Sequence, residues 1–371
     1  MEFIVNRDIF LKSLSHACGI IEKKTTLPIL SNILIDVKDS KIRITATDLD
    51  IIYSEEVPLL ELKKEGATTV SANILHDILR KLEPNSKVEL SLLDTNKLKL
   101  TSDNSKFNLL CITSDNFPLS NEDIKQKAFE ISSQKLLKLL NKSKISISND
   151  ETRHYLNGIY LHKTNLENKS FLTGVATDSH RLSSSSLEID SKTDFESIIL
   201  PKKTIFQLIS LLEQNTNIIK ISNNKSKIQF KMDHAILISK VIDGRFPDYS
   251  KVVPKDNDKI LEIKLNEFKD SIERVSTVSS DHKEGLKMNI SKENLQLLVN
   301  NPNSGEAIEN IKAKFNSSDM SISFNSRYLI DIASQIENSS IIINLKDPGS
   351  PVLINDLSDR KSYHVVMPMK I

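Results

Sequence analysis

The sequence predicts an α+β protein of three similar domains, each made of two modules in which a strand is followed by a helix and further strands. Two recurring patterns predict it, both combining a short alternating apolar stretch, a polar cap and apolar residues at helical spacing. The first recurs at residues 3–14, 129–140 and 261–272. The second recurs at residues 69–83, 199–213 and 323–337, with offsets of 130 and 124 residues.

The two modules of a domain also resemble each other. Val5 precedes the first helix as Val70 precedes the second, an offset of 65 residues and half of the domain repeat. The patterns predict six helices, at residues 6–16, 71–83, 132–143, 201–213, 265–276 and 325–337.

Alternating stretches between the helices predict antiparallel strands with one buried face. Examples are KIRITATD, KVELSLL, KLKLTSD, KIQFKM and SIIINL. The first two domains end in related sequences, SDNFPLS (114–120) and DGRFPDYS (243–250), each followed by a polar connection. We therefore predict domains at residues 1–122, 128–252 and 256–371.

Length and composition favour a multidomain protein of the cytoplasm. The 371 residues exceed one ordinary core, and no apolar run reaches the about 18 residues of a membrane span. The N-terminus MEFIVNRDIF is charged at its second residue and has no apolar stretch typical of a signal peptide, so we do not expect export. Cys18 and Cys111 are too few and too far apart for a disulfide framework or a zinc site.

The charge balance argues against tight electrostatic binding of nucleic acid. There are 50 basic and 49 acidic residues, no Trp, and only 5% aromatic residues. Neither a strongly basic nucleic-acid-binding surface nor a base-stacking platform is therefore expected. The predicted helices carry a slight basic excess, which ordinary solvated faces explain. The helix that most suggests a basic surface carries Lys135, Lys138 and Lys142 and no acid.

The stretch VATDSHRLSS (175–184) resembles an active site in composition. Neighbouring residues of a strand point to opposite faces, so Asp178, Ser179 and His180 do not form a catalytic triad by themselves. No H-x-x-x-H, nucleotide-binding or nucleophile-elbow motif occurs. The ATD element recurs 130 residues earlier, at 46–48, which indicates a turn of the module with the aspartate bonded to local backbone. Only the HRL portion is particular to the second domain.

Several motifs identify a family resemblance that runs from the first strand to the last residue. They are TLPILSNILI (26–35), ETRHYLNGIY (151–160), VATDSHRLS (175–183), DGRFPDY (243–249), FNSRYLIDI (324–332) and YHVVMPMKI (363–371). They resemble the bacterial DNA polymerase III beta subunit, the replicative sliding clamp. The resemblance implies the DNA-clamp fold and a ring-shaped homodimer, with helices lining the hole and sheets outside.

The implied function is that of a non-catalytic processivity factor without a cofactor, a metal or catalytic residues. The ring would hold double-stranded DNA topologically and without sequence preference. Implied partners are the DNA polymerase III alpha subunit, an ATP-driven clamp loader, and other DNA polymerases and repair or ligation proteins with clamp-binding peptides. Two alternatives from other classes stay open: a scaffold that does not bind DNA, and a hydrolase using Asp178 and His180.

The resemblance implies a peptide-binding groove between the second and third domains; packing between domains is the alternative explanation of its apolar residues. The groove residues are Arg153, Leu156, Thr177, His180, Arg181, Leu182, Pro247, Lys251, Val252, Asn325, Tyr328, Val366, Met367, Pro368, Met369 and Lys370. Leucine, valine, proline and methionine provide an adaptable apolar surface, and arginine and histidine provide donors.

The resemblance further implies DNA contacts by Lys24, His154 and Tyr155. The implied dimer contacts are Lys106 and Phe107 in the first domain, facing Thr277 and Val278 in the third, with opposite charge from Glu306 and Glu309.

Four positions depart from the family pattern. Ser179 stands where a glycine is usual, which is expected to narrow the pocket. His154 replaces the first aromatic residue of a pair, which weakens the inference of stacking on DNA. Lys251 stands where arginine is common, and Lys283 where some members have an aromatic residue; both changes are expected to alter peptide preference.

Overall fold

The computed structural model describes residues 1–22, 26–119, 124, 127–214, 217–279 and 285–369. Its α-helices in those residues are α1 (Arg7–Cys18), α2 (Ala72–Lys81), α3 (Ser133–Lys144), α4 (Lys202–Glu213), α5 (Leu265–Val275) and α6 (Ser326–Ala333). All six predicted helices are thus confirmed.

Strands occupy most of the remaining described chain. They are β1 (Glu2–Asn6), β2 (Asn32–Lys38), β3 (Lys41–Thr47), β4 (Ile51–Pro58), β5 (Glu61–Lys64), β6 (Gly66–Ser71), β7 (Lys87–Asp94), β8 (Lys97–Ser102), β9 (Ser105–Ile112), β10 (Phe129–Ser132), β11 (Gly158–Leu166), β12 (Lys169–Thr177), β13 (Arg181–Ile189), β14 (Ile198–Pro201), β15 (Ile218–Asn223), β16 (Lys227–Lys231), β17 (Ala235–Lys240), β18 (Lys259–Lys264), β19 (Gly285–Ile290), β20 (Asn294–Asn301), β21 (Gly305–Phe315), β22 (Met320–Asn325), β23 (Ser340–Leu345), β24 (Val352–Asp356) and β25 (Asp359–Val366).

The last helix is shorter than predicted. It ends at Ala333, whereas the apolar pattern extends to residue 337. The amides of Gln335 and Ile336 donate to the carbonyl groups of Ile332 and Ala333, three residues back. The chain therefore tightens into a turn that still buries Ile336, so the apolar spacing continues beyond the α-helix.

Contacts divide the chain into two compact units. The first comprises Met1–Gln134, Asp194–Glu196 and Lys203–Val241. It contains a 13-stranded sheet in the order β10-β15-β16-β17-β4-β3-β2-β6-β9-β8-β7-β1-β5. Neighbouring strands are antiparallel, and the β4–β17 pair joins the strands near the N-terminus to those after residue 217. Helix α1 packs against α2 and against strands β3 and β4.

The second unit comprises Lys135–Thr193, Ser197–Lys202 and the chain from Ile242 onward. Its 12-stranded sheet has the order β14-β11-β12-β13-β25-β24-β23-β18-β21-β20-β19-β22. Here the β13–β25 pair makes the sheet continuous. Helix α3 lies close to β12 because Gly174 has no side chain; a Cβ atom there would lie 2.6 Å from a methyl carbon of Leu139.

The strand pairing confirms the expected antiparallel strands with one buried face. Strands β8, β16 and β23 begin at the predicted residues and alternate buried with more exposed positions. Strand β3 also begins where predicted, but it alternates only in its first half and is buried throughout its last four residues. Within the described residues, no helix combines the length and apolarity required to cross a membrane.

Candidate functional site

Residues 177–181 form a tight turn between β12 and β13. The Thr177 hydroxyl donates to the Arg181 carbonyl at 2.7 Å and accepts from the Ser179 amide at 3.1 Å. One carboxylate oxygen of Asp178 accepts the amides of His180 and Arg181 at 3.0 and 2.9 Å. The side chains of the turn therefore satisfy its backbone, as in Asx and Ser/Thr turns.

The same turn occurs at residues 47–51. The Thr47 hydroxyl accepts the Leu49 amide at 3.0 Å, and Asp48 accepts the next two amides at 3.0 and 2.7 Å. The residue that follows the aspartate has a φ of 77° in both turns; it is Leu49 in the first and Ser179 in the second. The prediction that the ATD element belongs to the repeated module is confirmed.

The turn has no catalytic geometry. The second carboxylate oxygen of Asp178 accepts from Arg181 Nε at 3.1 Å, and the Ser179 hydroxyl accepts from Arg153 Nη1 at 2.7 Å. The side chain of His180 is exposed and bonds neither of them. No group of three or more His, Cys, Asp or Glu residues in the described ranges has the arrangement to hold a metal ion. A base–nucleophile pair is not formed here.

Arg181 anchors the turn to helix α6. Its Nη1 donates to Asp331 at 2.7 Å, and its guanidinium carbon lies 4.2 Å from the centre of the Tyr328 ring. Burial raises the pKa of Tyr328, with a further contribution from the charge of Asp178. The guanidinium is therefore held between two carboxylates and an aromatic face.

The C-terminal segment runs beside this turn. Strand β25 pairs with β13 so that Val366 lies opposite Arg181, and beyond the strand the Met367 amide donates to the His180 carbonyl at 2.8 Å. The Met369 amide donates to the Ser323 carbonyl at 2.7 Å. Backbone bonds on both sides of Pro368 thus fix the tail, while the side chains of Met367 and Met369 are 43% and 36% exposed.

A small apolar cluster includes Leu182 and Val365, the neighbours of Arg181 and Val366. Its buried members are Leu156, Val175, Leu182, Ile199, Phe246 and Val365. Leu156 and Leu182 are buried, so within the predicted groove they serve as floor. Val366 is fully buried in a separate core cluster of the same unit.

The segment that follows β17 packs on this cluster. Phe246 stacks on Tyr160 with ring centres 5.0 Å apart, and the Tyr249 hydroxyl lies 3.0 Å from His162 Nε2. These contacts hold a 3₁₀ turn, Tyr249–Lys251, in which the Asp248 side chain accepts the amide of Ser250. The predicted groove residues Pro247, Lys251 and Val252 are exposed on the same segment.

Arg153 and Asn325 are also fixed by hydrogen bonds. Arg153 Nε donates to Asp150 at 2.8 Å. The Asn325 side chain accepts the Arg327 amide at 2.9 Å and so caps the start of α6. Lys370 lies outside the described residues, as does Lys283.

The predicted DNA contacts are only partly covered. Lys24 lies outside the described residues. The rings of His154 and Tyr155 meet edge to face, with centres 5.8 Å apart. His154 is exposed, whereas Tyr155 packs against the apolar cluster, so its ring is not a free stacking platform.

Four of the six residues predicted at the dimer contact lie on two strands with open edges, in different units. Strand β9, with Lys106 and Phe107, pairs with β8 along its length but with β6 only at Cys111 and Ile112. In the second unit, β21 carries Glu306 and Glu309 and pairs with β18 only near its end. Residues Thr277 and Val278 belong to the short 3₁₀ helix Ser276–Val278 after α5.

The two acidic residues of β21 differ. Glu306 is exposed. Glu309 accepts from Arg274 Nε at 3.1 Å and from the Ser271 hydroxyl at 2.7 Å. Hydrogen bonds from Arg274 lower the pKa of Glu309. Its charge is thus already matched within the chain, and Glu306 is the acid available to another molecule.

The basic face of α3 is largely used within the second unit. Lys142 is buried and lies 2.9 Å from Asp359 and 3.4 Å from Asp356. Lys138 pairs with Glu337 at 2.8 Å. Lys135 is exposed, and the side chain of Lys138 is 40% exposed beside its ion pair. The interpretation of this helix as a basic surface is therefore wrong for Lys142 and weakened for Lys138.

Sequence reasoning did not identify the acids that hold the two arginines predicted to line the groove. Asp150 precedes Arg153 by three residues, as Asp178 precedes Arg181, and both pairs form salt bridges. That repeated spacing was a usable signal. Asp331 carries no comparable signal because it meets Arg181 only through the fold.

The fold defines a protein assembled from repeated antiparallel modules of a strand, a helix and further strands. Comparison with known families is more specific. Family models for the DNA polymerase III beta subunit match residues 1–121 (N-terminal domain), 130–248 (central domain) and 250–370 (C-terminal domain). The chain belongs to the DNA polymerase III beta subunit family, the sliding clamps of bacterial replication.

Full-length relatives agree with this assignment. The beta sliding clamp of Caulobacter vibrioides is 33% identical and that of Escherichia coli K12 is 31% identical, over 100% of both chains in each case. A solved DnaN sliding clamp from Bartonella birtlesii bound to griselimycin is 37% identical with a TM-score of 0.96, covering 100% of both chains. A Caulobacter crescentus clamp with PEG bound to a putative beta-motif tethering region has a TM-score of 0.95 and is 33% identical, covering 100% of this chain and 99% of that one.

Proposed function

We propose that two copies of this chain close into a ring around duplex DNA and tether the replicative polymerase through the groove described above. The chain is a sliding clamp and processivity factor, not an enzyme. The observation that carries the groove assignment is the backbone bond between Met367 and His180, since it fixes the C-terminal tail beside the HRL portion, which is particular to the second domain.

The groove has the composition of a peptide-binding surface. Met367, Met369 and Val252 are exposed, and Leu156 and Leu182 are buried members of the apolar cluster, which would form the floor of the groove. Methionine side chains adapt to different apolar partners, and the fixed backbone beneath them limits the entropy lost on binding. Such a surface suits short apolar peptides of DNA polymerase III alpha subunit, clamp loader, other polymerases and repair or ligation proteins.

Topology, with few phosphate contacts, explains how a protein of net charge +1 retains DNA. We propose that His154 and Lys24 touch the DNA backbone and that Tyr155 mainly supports His154. Contacts of this kind do not read sequence, and the clamp therefore remains free to move.

We propose that the dimer contact joins the edge of β9 to the edge of β21 in a second copy. An unpaired strand edge is a template for another strand. Lys106 and Glu306 supply opposite exposed charges at these edges, with Phe107, Thr277 and Val278 beside them. The domains of the ring would be residues 1–122, 128–252 and 256–371, in the cytoplasm with the replication machinery.

The ring is tested by loading the protein onto nicked circular DNA with a clamp loader and ATP, followed by gel filtration. We expect retention on the circle and release after the DNA is cut. Retention on the cut DNA would contradict topological binding, and no retention on the circle would favour the DNA-independent scaffold.

The groove is tested with griselimycin, the ligand named in the Bartonella structure, by calorimetry. Met367→Glu places a charge in the groove and is expected to weaken binding at least tenfold, about the effect of 1.4 kcal/mol. Leu166→Glu is the matched control, because Leu166 is an exposed apolar residue of the same unit outside the groove. Equal affinity in both variants would contradict the groove assignment.

A further inference from the structure

The two groove arginines differ in how many donors they have left. Arg181 is nearly buried and is engaged by Asp178, Asp331 and the Tyr328 ring. The side chain of Arg153 is 38% exposed, and its Nη2 has no acceptor among the described residues. Arg153 is therefore the guanidinium available to a ligand.

Arg153 is nevertheless held in place. Its Nε donates to Asp150 at 2.8 Å, and its Nη1 donates to the Ser179 hydroxyl at 2.7 Å. Because a guanidinium is planar, fixing two of its three nitrogens fixes the whole group. Both N–H groups of Nη2 and one of Nη1 remain, and a carboxylate is the ligand that accepts two such bonds together.

Ser179 projects its hydroxyl from a backbone that the turn determines. Its φ of 77° lies in the left-handed region, which a serine adopts only under constraint. The constraint comes from Thr177 and Asp178, which bond the amides on either side. The equivalent turn has Leu49 at the same φ, and that side chain offers no acceptor.

We propose that Ser179 is a positioning residue of the groove: with Asp150, it holds Arg153 ready for a carboxylate of the bound peptide. The proposal rests on the groove assignment made above. Ser179 lies next to His180, whose carbonyl group holds Met367, so the acidic side chain would bind at the edge of the methionine surface. The preferred ligand is an apolar peptide with one acidic residue beside its apolar anchors.

The test measures the affinity of short labelled apolar peptides by fluorescence anisotropy. The peptides come in pairs that differ only in having aspartate or asparagine at one position, and each pair places that position at a different point along the peptide. In the wild-type protein, one register is expected to bind about three- to tenfold more tightly as aspartate, since the ion pair is partly exposed. Ser179→Gly and Arg153→Ala are expected to bring this ratio close to one. Ser179→Asn keeps an acceptor and tolerates positive φ, so it should restore the preference.

Leu49→Gly is the matched control, because it makes the same change in the equivalent turn at residues 47–51, where no arginine is bound. It is expected to leave the ratio unchanged. A second measurement needs no ligand: hydrogen exchange at Arg153 Nε, followed by NMR, should accelerate in Ser179→Gly but not in Ser179→Asn.

An unchanged aspartate preference in Ser179→Gly would overturn the positioning role and leave the groove assignment standing. Failure of the wild-type protein to bind any peptide of the set would overturn both. A ratio lost equally in Leu49→Gly would show a general effect on folding and would also overturn the positioning role.

Discussion

Lys142 is expected to be the residue of α3 whose loss costs the second unit most. Its side chain is only 3% exposed, and its ammonium group lies 3.4 Å from Asp356, which is 1% exposed, and 2.9 Å from Asp359. Replacement by methionine keeps most of the volume and removes the charge. Asp356 then stays buried without a cation, and Asp359 keeps only Lys138, whose ammonium group is 3.5 Å away.

The magnitude follows from that burial. Removing one partner of a buried ion pair costs about 3–5 kcal/mol, because the charge left behind is not solvated. Asp356 keeps three other donors, the Glu337 amide and the amide and hydroxyl groups of Ser358. We therefore expect the lower end, about 3 kcal/mol.

Local hydrogen exchange measures this loss directly. The amides of Glu337 and Ser358 donate to Asp356, so they should exchange about 100-fold faster in Lys142→Met, the equivalent of nearly 3 kcal/mol. Lys135→Ala is the control on the same helix, since Lys135 is exposed, and it should change these rates little. Equal rates in the two variants would refute the reasoning that burial makes the Lys142 pair costly to break.

Three further outcomes are expected. Burial lowers the pKa of His364 to about 3 from 6.5, so the unfolded chain binds a proton first and stability falls by about 1.4 kcal/mol per pH unit from pH 6.5 toward 3. Urea denaturation at pH 7 and 5 should show this, with a flatter dependence in His364→Gln; an equal slope would contradict it. Asp331→Ala should weaken peptide binding about threefold or more by releasing Arg181, and unchanged anisotropy titrations would count against that. Lys106→Glu should weaken the dimer, and a second change, Glu306→Lys, should partly restore it. Sedimentation that shows no restoration would contradict a direct contact between Lys106 and Glu306.

The repeat made the fold predictable from the sequence. A helix that buries one stripe and a strand that buries one face leave periods that recur in all three domains, and each predicted helix is present. The run SSSS at 183–186 shows where this reasoning stops. Serine favours exposure in any composition argument, yet Ser183, Ser184 and Ser185 are buried in β13.

Those serines are buried because partners far apart in sequence satisfy them. The Ser183 hydroxyl lies 2.7 Å from that of Ser146 and 2.8 Å from His364 Nδ1, and Ser185 meets Ser362 at 2.9 Å. Buried hydroxyl groups are tolerated when they are hydrogen-bonded. A single sequence carries no period for such pairs, and the same limit hid the contact between Arg181 and Asp331.

The allocation of lysines on α3 bears on how a clamp moves. Each phosphate that a lysine neutralises makes binding to duplex DNA more dependent on salt, by a slope of about 0.9, and adds to the attraction that must be broken at each step. Lys142 and Lys138 form ion pairs with Asp356, Asp359 and Glu337, so these lysines add little to such attraction. Internal pairing thus has two expected consequences: breaking the Lys142 pair destabilises the second unit, and a lysine-rich helix binds less tightly to the DNA that the proposed ring would retain by closure.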